Sequence, residues 1–160
     1  MQDFKKKFIV QFIIDALVLG ILFFIAFRLI AAVFVSSLEG TAVCLPIVLC
    51  TVLANAFAGS IAVFLTQNTL AKKECSDIPE PMPFYLILAI VMIALILLYT
   101  VFGYSTLEGY CRNNISILTV KSEDVHNAAV KAVIISDIVQ AAVILAFLPL
   151  WKKRHNKLFA

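Results

Sequence analysis

The chain has 160 residues, of which 62% are apolar and only 14% charged, and a formal net charge of +3. A water-soluble domain of this length cannot hide so much apolar surface in its interior, and too few charged residues remain to cover the outside. The small positive excess reflects where basic residues fall between apolar runs, and it does not indicate a nucleic-acid partner.

The first apolar run, residues 8–35, carries only two charges, Asp15 and Arg28. The second, about 42–66, carries none; Pro46 suits the first turn of its helix, where a missing N–H costs nothing. A polar segment at 67–82 follows, made stiff and extended by Pro79 and Pro81, with Pro83 opening the third run at 83–104. Residues 105–127 form the longest polar connection. Within it the apolar, β-branched 115–120 stretch suits a short strand or a segment lying on a membrane surface. The fourth run spans about 128–151. Ser122, followed by Glu123 and Asp124, reads as a cap with acids over the positive end of a helix dipole, so the fourth helix is expected to begin well before the apolar run.

A hydrocarbon core about 30 Å thick is crossed by about 20 helical residues. All four runs reach that length, and none alternates apolar with polar as a barrel strand must. The fold expected is an all-α integral membrane protein: a single four-transmembrane-helix bundle over 1–160, with a hinge at 67–82 and an outer loop at 105–127. The first run is too long for a removable signal segment and contains an acid. Lys5, Lys6, Lys7, Lys72, Lys73, Lys152, Lys153, Arg154 and Lys157 fall on one side of the four spans, and only Arg112, Lys121 and Lys131 on the other. The positive-inside rule then puts both termini in the cytoplasm, and a bacterial cytoplasmic membrane is the expected location.

Two five-residue stretches resemble each other, SSLEG at 36–40 and STLEG at 105–109, each after an odd-numbered span. A duplication would relate two hairpins by an axis along the membrane normal. The flanking helices share no polar landmarks, however, so both stretches are read as turns with Glu39 and Glu108 in water.

Charges inside the spans carry the functional argument, because each costs about 2.5–3.5 kcal/mol at a helix centre unless paired, hydrated or neutralised. No twenty-residue window of the first helix leaves out both Asp15 and Arg28. At the helical rise, Arg28, Thr51, Asn55 and Asp137 fall roughly 8–13 Å below the outer surface. They are expected to form one polar layer built on an Arg28–Asp137 ion pair. Asp15, about 12 Å from the inner surface, has no basic residue at its depth and is the candidate proton or ion site. Ala54, Ala58 and Ala62, with Gly59 beside them, form a small-residue stripe that lets helices approach closely. The third helix has no such stripe and is expected to face lipid.

Several motifs fail. Cys44 and Cys50 lie about 9 Å apart along one helix, Cys75 and Cys111 fall on opposite sides, and there is no CxxC pair, so quinone-coupled redox chemistry is not expected. His126 and His155 are also on opposite sides and cannot share a zinc ion. Thr100–Ser105 superficially matches a potassium-filter loop but ends a full span. Asn114-Ile115-Ser116 fits a glycosylation acceptor, with meaning only in a eukaryotic secretory system. No cofactor or metal is expected. The function expected is that of a non-enzymatic subunit or scaffold of a membrane assembly. The alternative is an oligomeric ion- or proton-coupled channel or transporter using Asp15 and the Arg28–Asp137 layer. In either case the partners are lipid and further membrane subunits or copies of the chain.

Overall fold

The computed structural model describes residues 3–73, 75–115 and 120–159. They form five α-helices: α1 (Phe4–Val35), α2 (Cys44–Leu70), α3 (Pro81–Phe102), α4 (Tyr104–Asn113) and α5 (Ser122–Phe159). Four of these, all but α4, are long and apolar enough to cross a membrane.

Local chemistry sets the helix ends. The Asp3 carboxylate accepts from the Lys5 N–H and caps α1. Gly40, at φ +60°, turns the chain after α1 into a single 3₁₀ turn (Gly40–Val43) that runs on into α2. A left-handed backbone here favours glycine over any residue with a Cβ. The third helix starts at Pro81, two residues earlier than expected. Pro81 and Pro83 both lie in its first turn, where N–H groups have no intrahelical acceptor, so neither proline disturbs it. The second helix continues a turn past residue 66 to Leu70, because Gln67 has partners inside the protein.

The helices are not arranged as an even ring. The second lies at the centre, with α1 along one side and α5 along the other, and α3 packs on α5. In the apolar stretch of α2, 67% of residues are buried, against 6% in α1, which makes α1 the peripheral stave. The third helix does bury a stripe, Tyr85, Ala89, Met92, Ile96 and Thr100, and turns its other faces outward. Mixed sizes, rather than small residues, make that stripe, which is why a small-residue pattern does not reveal it.

The connection at 105–127 is partly helical. Gly103 ends α3 where a side chain would sit 2.7 Å from the Tyr99 carbonyl oxygen, and there the chain bends into α4. This corrects the reading of STLEG as a turn: Ser105–Gly109 lies inside α4, whereas SSLEG follows α1 and runs through the turn to Gly40. The two stretches therefore have different conformations. Of the 115–120 stretch, residues 116–119 lie outside the described residues, and Ser116 of the acceptor triplet lies there too.

Both chain ends meet at one pole. The Phe4 and Phe159 rings are 5.2 Å apart, and the Phe4 N–H donates to the Ser76 carbonyl in the α2–α3 connection. The opposite pole carries the 3₁₀ turn, α4 and the start of α5.

Candidate functional site

Polar side chains within the apolar spans gather in three places, and the geometry departs from the layer expected. Among the described residues Arg28 and Asp137 make no ion pair. The Arg28 guanidinium instead lies 4.1 Å from the centre of the Tyr110 ring and 5.9 Å from that of Phe24. A delocalised, weakly hydrated cation is well suited to aromatic faces, and α4 supplies Tyr110 from a segment with no apparent role in the sequence. Asp137 turns the other way and accepts a 3.0 Å hydrogen bond from the Thr100 hydroxyl of α3. Thr51 donates to the Ile47 carbonyl of its own helix, and Asn55 lines a groove described below. The four residues thus serve four separate environments rather than one network.

Asp15 is held by two donors. Gln11, one turn earlier, donates to one carboxylate oxygen at 3.0 Å, and the buried Thr66 hydroxyl of α2 donates to the other at 2.8 Å. Both hydrogen bonds offset part of the cost of a carboxyl among apolar helices, and the one from Thr66 pins α1 to α2. Along α2, Ala54, Ala58, Gly59 and Ala62 are buried, and a Cβ at Gly59 would fall 2.5 Å from the Met92 methyl group of α3.

Next to Asp137, α5 carries an incompletely satisfied strip. Ser136 Oγ, one oxygen of Asp137 and both amide atoms of Gln140 are buried without a hydrogen-bond partner among the described residues. Ser136 and Gln140 are fully buried, one turn apart on the same face as Ala132 and Ile144. Burial of such groups is expensive unless water or a partner reaches them.

The pole with the chain ends holds a cluster that sequence reasoning missed. Gln67 donates from its amide nitrogen to the Tyr85 hydroxyl at 2.8 Å and to the Trp151 carbonyl at 3.0 Å. Tyr85 lies 3.0 Å from His155 Nδ1, and the His155 ring also meets the Pro79 backbone, which can only accept. A neutral imidazole satisfies both: one nitrogen donates to Pro79 while Nδ1 accepts from Tyr85. The Trp151 indole N–H donates to the Ser60 carbonyl at 3.1 Å. Phe4, Phe8, Phe84 and Phe159 enclose the set with edge and stacked contacts. The available signal was the spacing of Trp151 and His155, four residues apart on one face of α5.

At the other pole, Glu108 joins α4 to α5. It pairs with Arg112 one turn on and with His126 Nδ1 at 3.0 Å, while Arg112 also donates to the Ser122 hydroxyl at 2.8 Å. Burial pushes the Glu108 carboxyl up, but hydrogen bonds from Arg112, Tyr104 and His126 and the guanidinium charge outweigh it, leaving the group below its ordinary value. Burial and the neighbouring Glu108 push the Tyr104 hydroxyl up to about 12. A lowered folded value means that Glu108 stabilises the docking of α4 above the ordinary carboxylate range, and that this contribution fades as pH falls through the lowered value. Hydrogen-exchange protection of α4 is therefore expected to drop on acidification below the ordinary carboxylate range, and Glu108→Gln to flatten that acid limb. Near this pole Cys44, at the start of α2, and Cys111, in α4, are both buried.

Between α1 and α3, over α2, runs an open groove of about 510 Å³ lined by Gly20, Ile21, Phe24, Asn55, Leu95 and Tyr99. Its walls are apolar, Asn55 supplies the amide, and nothing lies within 4 Å of where a Gly20 side chain would be. Groups of three or more His, Cys, Asp or Glu able to hold a metal do not occur among the described residues. Comparison with protein-family models, with curated proteins and with solved structures finds no match to this chain.

Proposed function

We propose that the chain lies in a bilayer with its terminal pole in the cytoplasm and acts as a non-enzymatic subunit or scaffold, taking a transmembrane helix of a partner subunit into the α1–α3 groove. The groove carries this reading. It opens sideways, where lipid or a neighbouring helix lies, and combines a bare glycine with one amide in an apolar wall. A small residue lets a second backbone approach, and a buried amide hydrogen-bonds across helices in lipid. The hydrogen bonds of Asp15 to α2 and of Asp137 to α3 fit staples that hold the staves together. Basic residues outnumber acids at the terminal pole, which supports the orientation.

The test is intact-complex mass spectrometry after gentle detergent extraction from the native host. A stoichiometric second subunit is the expected result. Gly20→Leu places its side chain in open space, so the fold should hold while the groove fills, and partner recovery should fall by about tenfold, the effect of losing roughly 1.4 kcal/mol of packing. Asn55→Leu should weaken it as well. Recovery of the wild-type chain without any second subunit would refute the scaffold reading.

The unpartnered strip at Ser136, Asp137 and Gln140 favours a second reading, an oligomeric ion- or proton-coupled channel or transporter. On that reading Asp137→Asn, and Asp15→Asn separately, abolish flux in reconstituted vesicles while leaving the fold intact. Unchanged flux in both variants would exclude it.

A further inference from the structure

Two cavities flank the start of α1 at the terminal pole, and their walls differ in charge. One, of about 630 Å³, is lined by Asp3, Asp77 and Glu80 together with Lys5. The other, of about 470 Å³, lies between α1 and the end of α2 and is lined by Lys6, Lys7, Val10, Gln11, Leu70 and Lys73. Helical spacing puts Lys6, Lys7 and Val10 on one face of α1. The Lys73 N–H donates to the Leu70 carbonyl at 2.9 Å, and this turn brings a lysine from the end of α2 to the same space. No acid is among the described residues that line it. Lys6 and Lys73 are exposed, and neither forms an ion pair among the described residues. The first turn of α1 holds lysines and no acid, although the helix dipole favours negative charge at that end.

We propose that this basic cavity binds an anionic phospholipid, with the headgroup phosphate between the Lys6 and Lys73 ammonium groups and an acyl chain along α1. The inference rests on the bilayer placement proposed above, and on neither the direction of the termini nor the scaffold reading. The first apolar run begins at residue 8, directly after Lys7, so the cavity lies at headgroup level. Lysine is a compact point charge with three donors, and a phosphate oxygen makes a strong, charge-assisted acceptor for it. Below the lysines the wall turns apolar. Val10, Ile14 and Leu17 follow one another along one face of α1, each more than half exposed, which gives an acyl chain a continuous track. A zwitterionic headgroup carries its own cation into the lysine pair and gains less from it. A free phosphate meets the same donors but leaves the apolar track unused.

The test titrates lipid into the full chain in nonionic detergent and reads bound lipid by native mass spectrometry. Phosphatidylglycerol is expected to bind as a single molecule per chain at concentrations where phosphatidylcholine does not. A lysine facing an anionic headgroup is worth about fivefold in affinity, so Lys6→Gln with Lys73→Gln should weaken binding about twentyfold. Lys6→Arg with Lys73→Arg keeps both charges and should retain most of it. Lys5→Gln with Lys72→Gln removes the same charge at the same pole but outside the cavity, and should leave binding nearly unchanged. Equal losses in the two glutamine pairs would overturn the site in favour of diffuse attraction, and equal binding of the two lipids would overturn the headgroup assignment. Inorganic phosphate should not displace the lipid; displacement would mean a free-anion site and overturn the lipid. Absence of bound phosphatidylglycerol would overturn it too. Alkaline carbonate extraction of host membranes separates the causes. Release of the chain by carbonate would overturn the bilayer placement, and with it this proposal. A chain that stays in the membrane yet shows no lipid preference would overturn the lipid site alone and leave the scaffold reading standing.

Discussion

Trp151→Ala is expected to lower the stability of the folded bundle by about 3–5 kcal/mol, the range for removing a fully buried aromatic. Trp151 has no exposed surface and packs against Tyr85 and Phe147 at ring-centre separations of 6.1 and 6.2 Å. In the bilayer placement proposed above, lipid tails are as apolar as the protein interior, so the loss comes from unmade van der Waals contacts and one lost hydrogen bond rather than from a change of medium. The Ser60 carbonyl loses its indole donor, and the α5 backbone that receives Gln67 loses its lateral support. Trp151→Phe separates the contributions. It keeps most of the ring contact and removes one hydrogen bond, so about 1 kcal/mol is expected. Reversible unfolding in mixed micelles, followed by near-ultraviolet signals from Tyr85 and the remaining aromatics, gives both numbers. Equal losses for the two variants would show that the hydrogen bond outweighs the packing.

Gly59→Leu is expected to cost about 3 kcal/mol, at the upper end for overpacking, whereas Gly59→Ala should stay within about 1 kcal/mol of the wild type. A single Cβ at Gly59 meets the Met92 methyl at 2.5 Å, and that methyl is the free end of a flexible side chain that can swing away. Alanine also favours the helix over glycine, which offsets the crowding. Leucine adds three more carbons in the same direction and forces α3 off α2. Combining Gly59→Leu with Met92→Ala should recover much of the loss. The check is the same unfolding measurement on the four chains. Failure of the double variant to recover would mean that the clash lies with the α3 backbone rather than with Met92.

The number and positions of the four long apolar helices follow from the run lengths, because a stretch of about 20 apolar residues suits a spanning helix and the sequence supplies four, whereas the short α4 follows from no such run. Neighbour relations do not follow in the same way. Depth along a helix is legible, since it needs only the rise per residue, but the direction around the helix is not. Arg28 and Asp137 fall at similar depths, yet one turns to Tyr110 and the other to Thr100. Apolar residues surround every helix on all sides, so no amphipathic stripe reveals which face packs inward. The partner of Arg28 was hidden for a second reason. Tyr110 sits in a stretch read as a loop, and only folding of α4 brings it near. Gln67 was likewise assigned to a polar hinge. It is held inside by Tyr85 and Trp151, and neither partner is predictable until the order of the staves is known. Asp15 reads in the sequence as a candidate proton or ion site because no basic residue matches its depth, and its hydrogen-bond donors are a hydroxyl and an amide that carry no charge signal.

Because the central stave α2 finds its main neighbour in α5, translation order constrains how the protein is made. The ribosome releases α2 long before α5, so α1 alone can greet it, through the Asp15–Thr66 contact. During that interval, in the bilayer placement proposed above, the Gln67 amide and the small-residue flank of α2 would wait among acyl chains. A nascent chain stalled before α5 would leave that polar surface uncovered, and completion of the last helix is what ends the exposure.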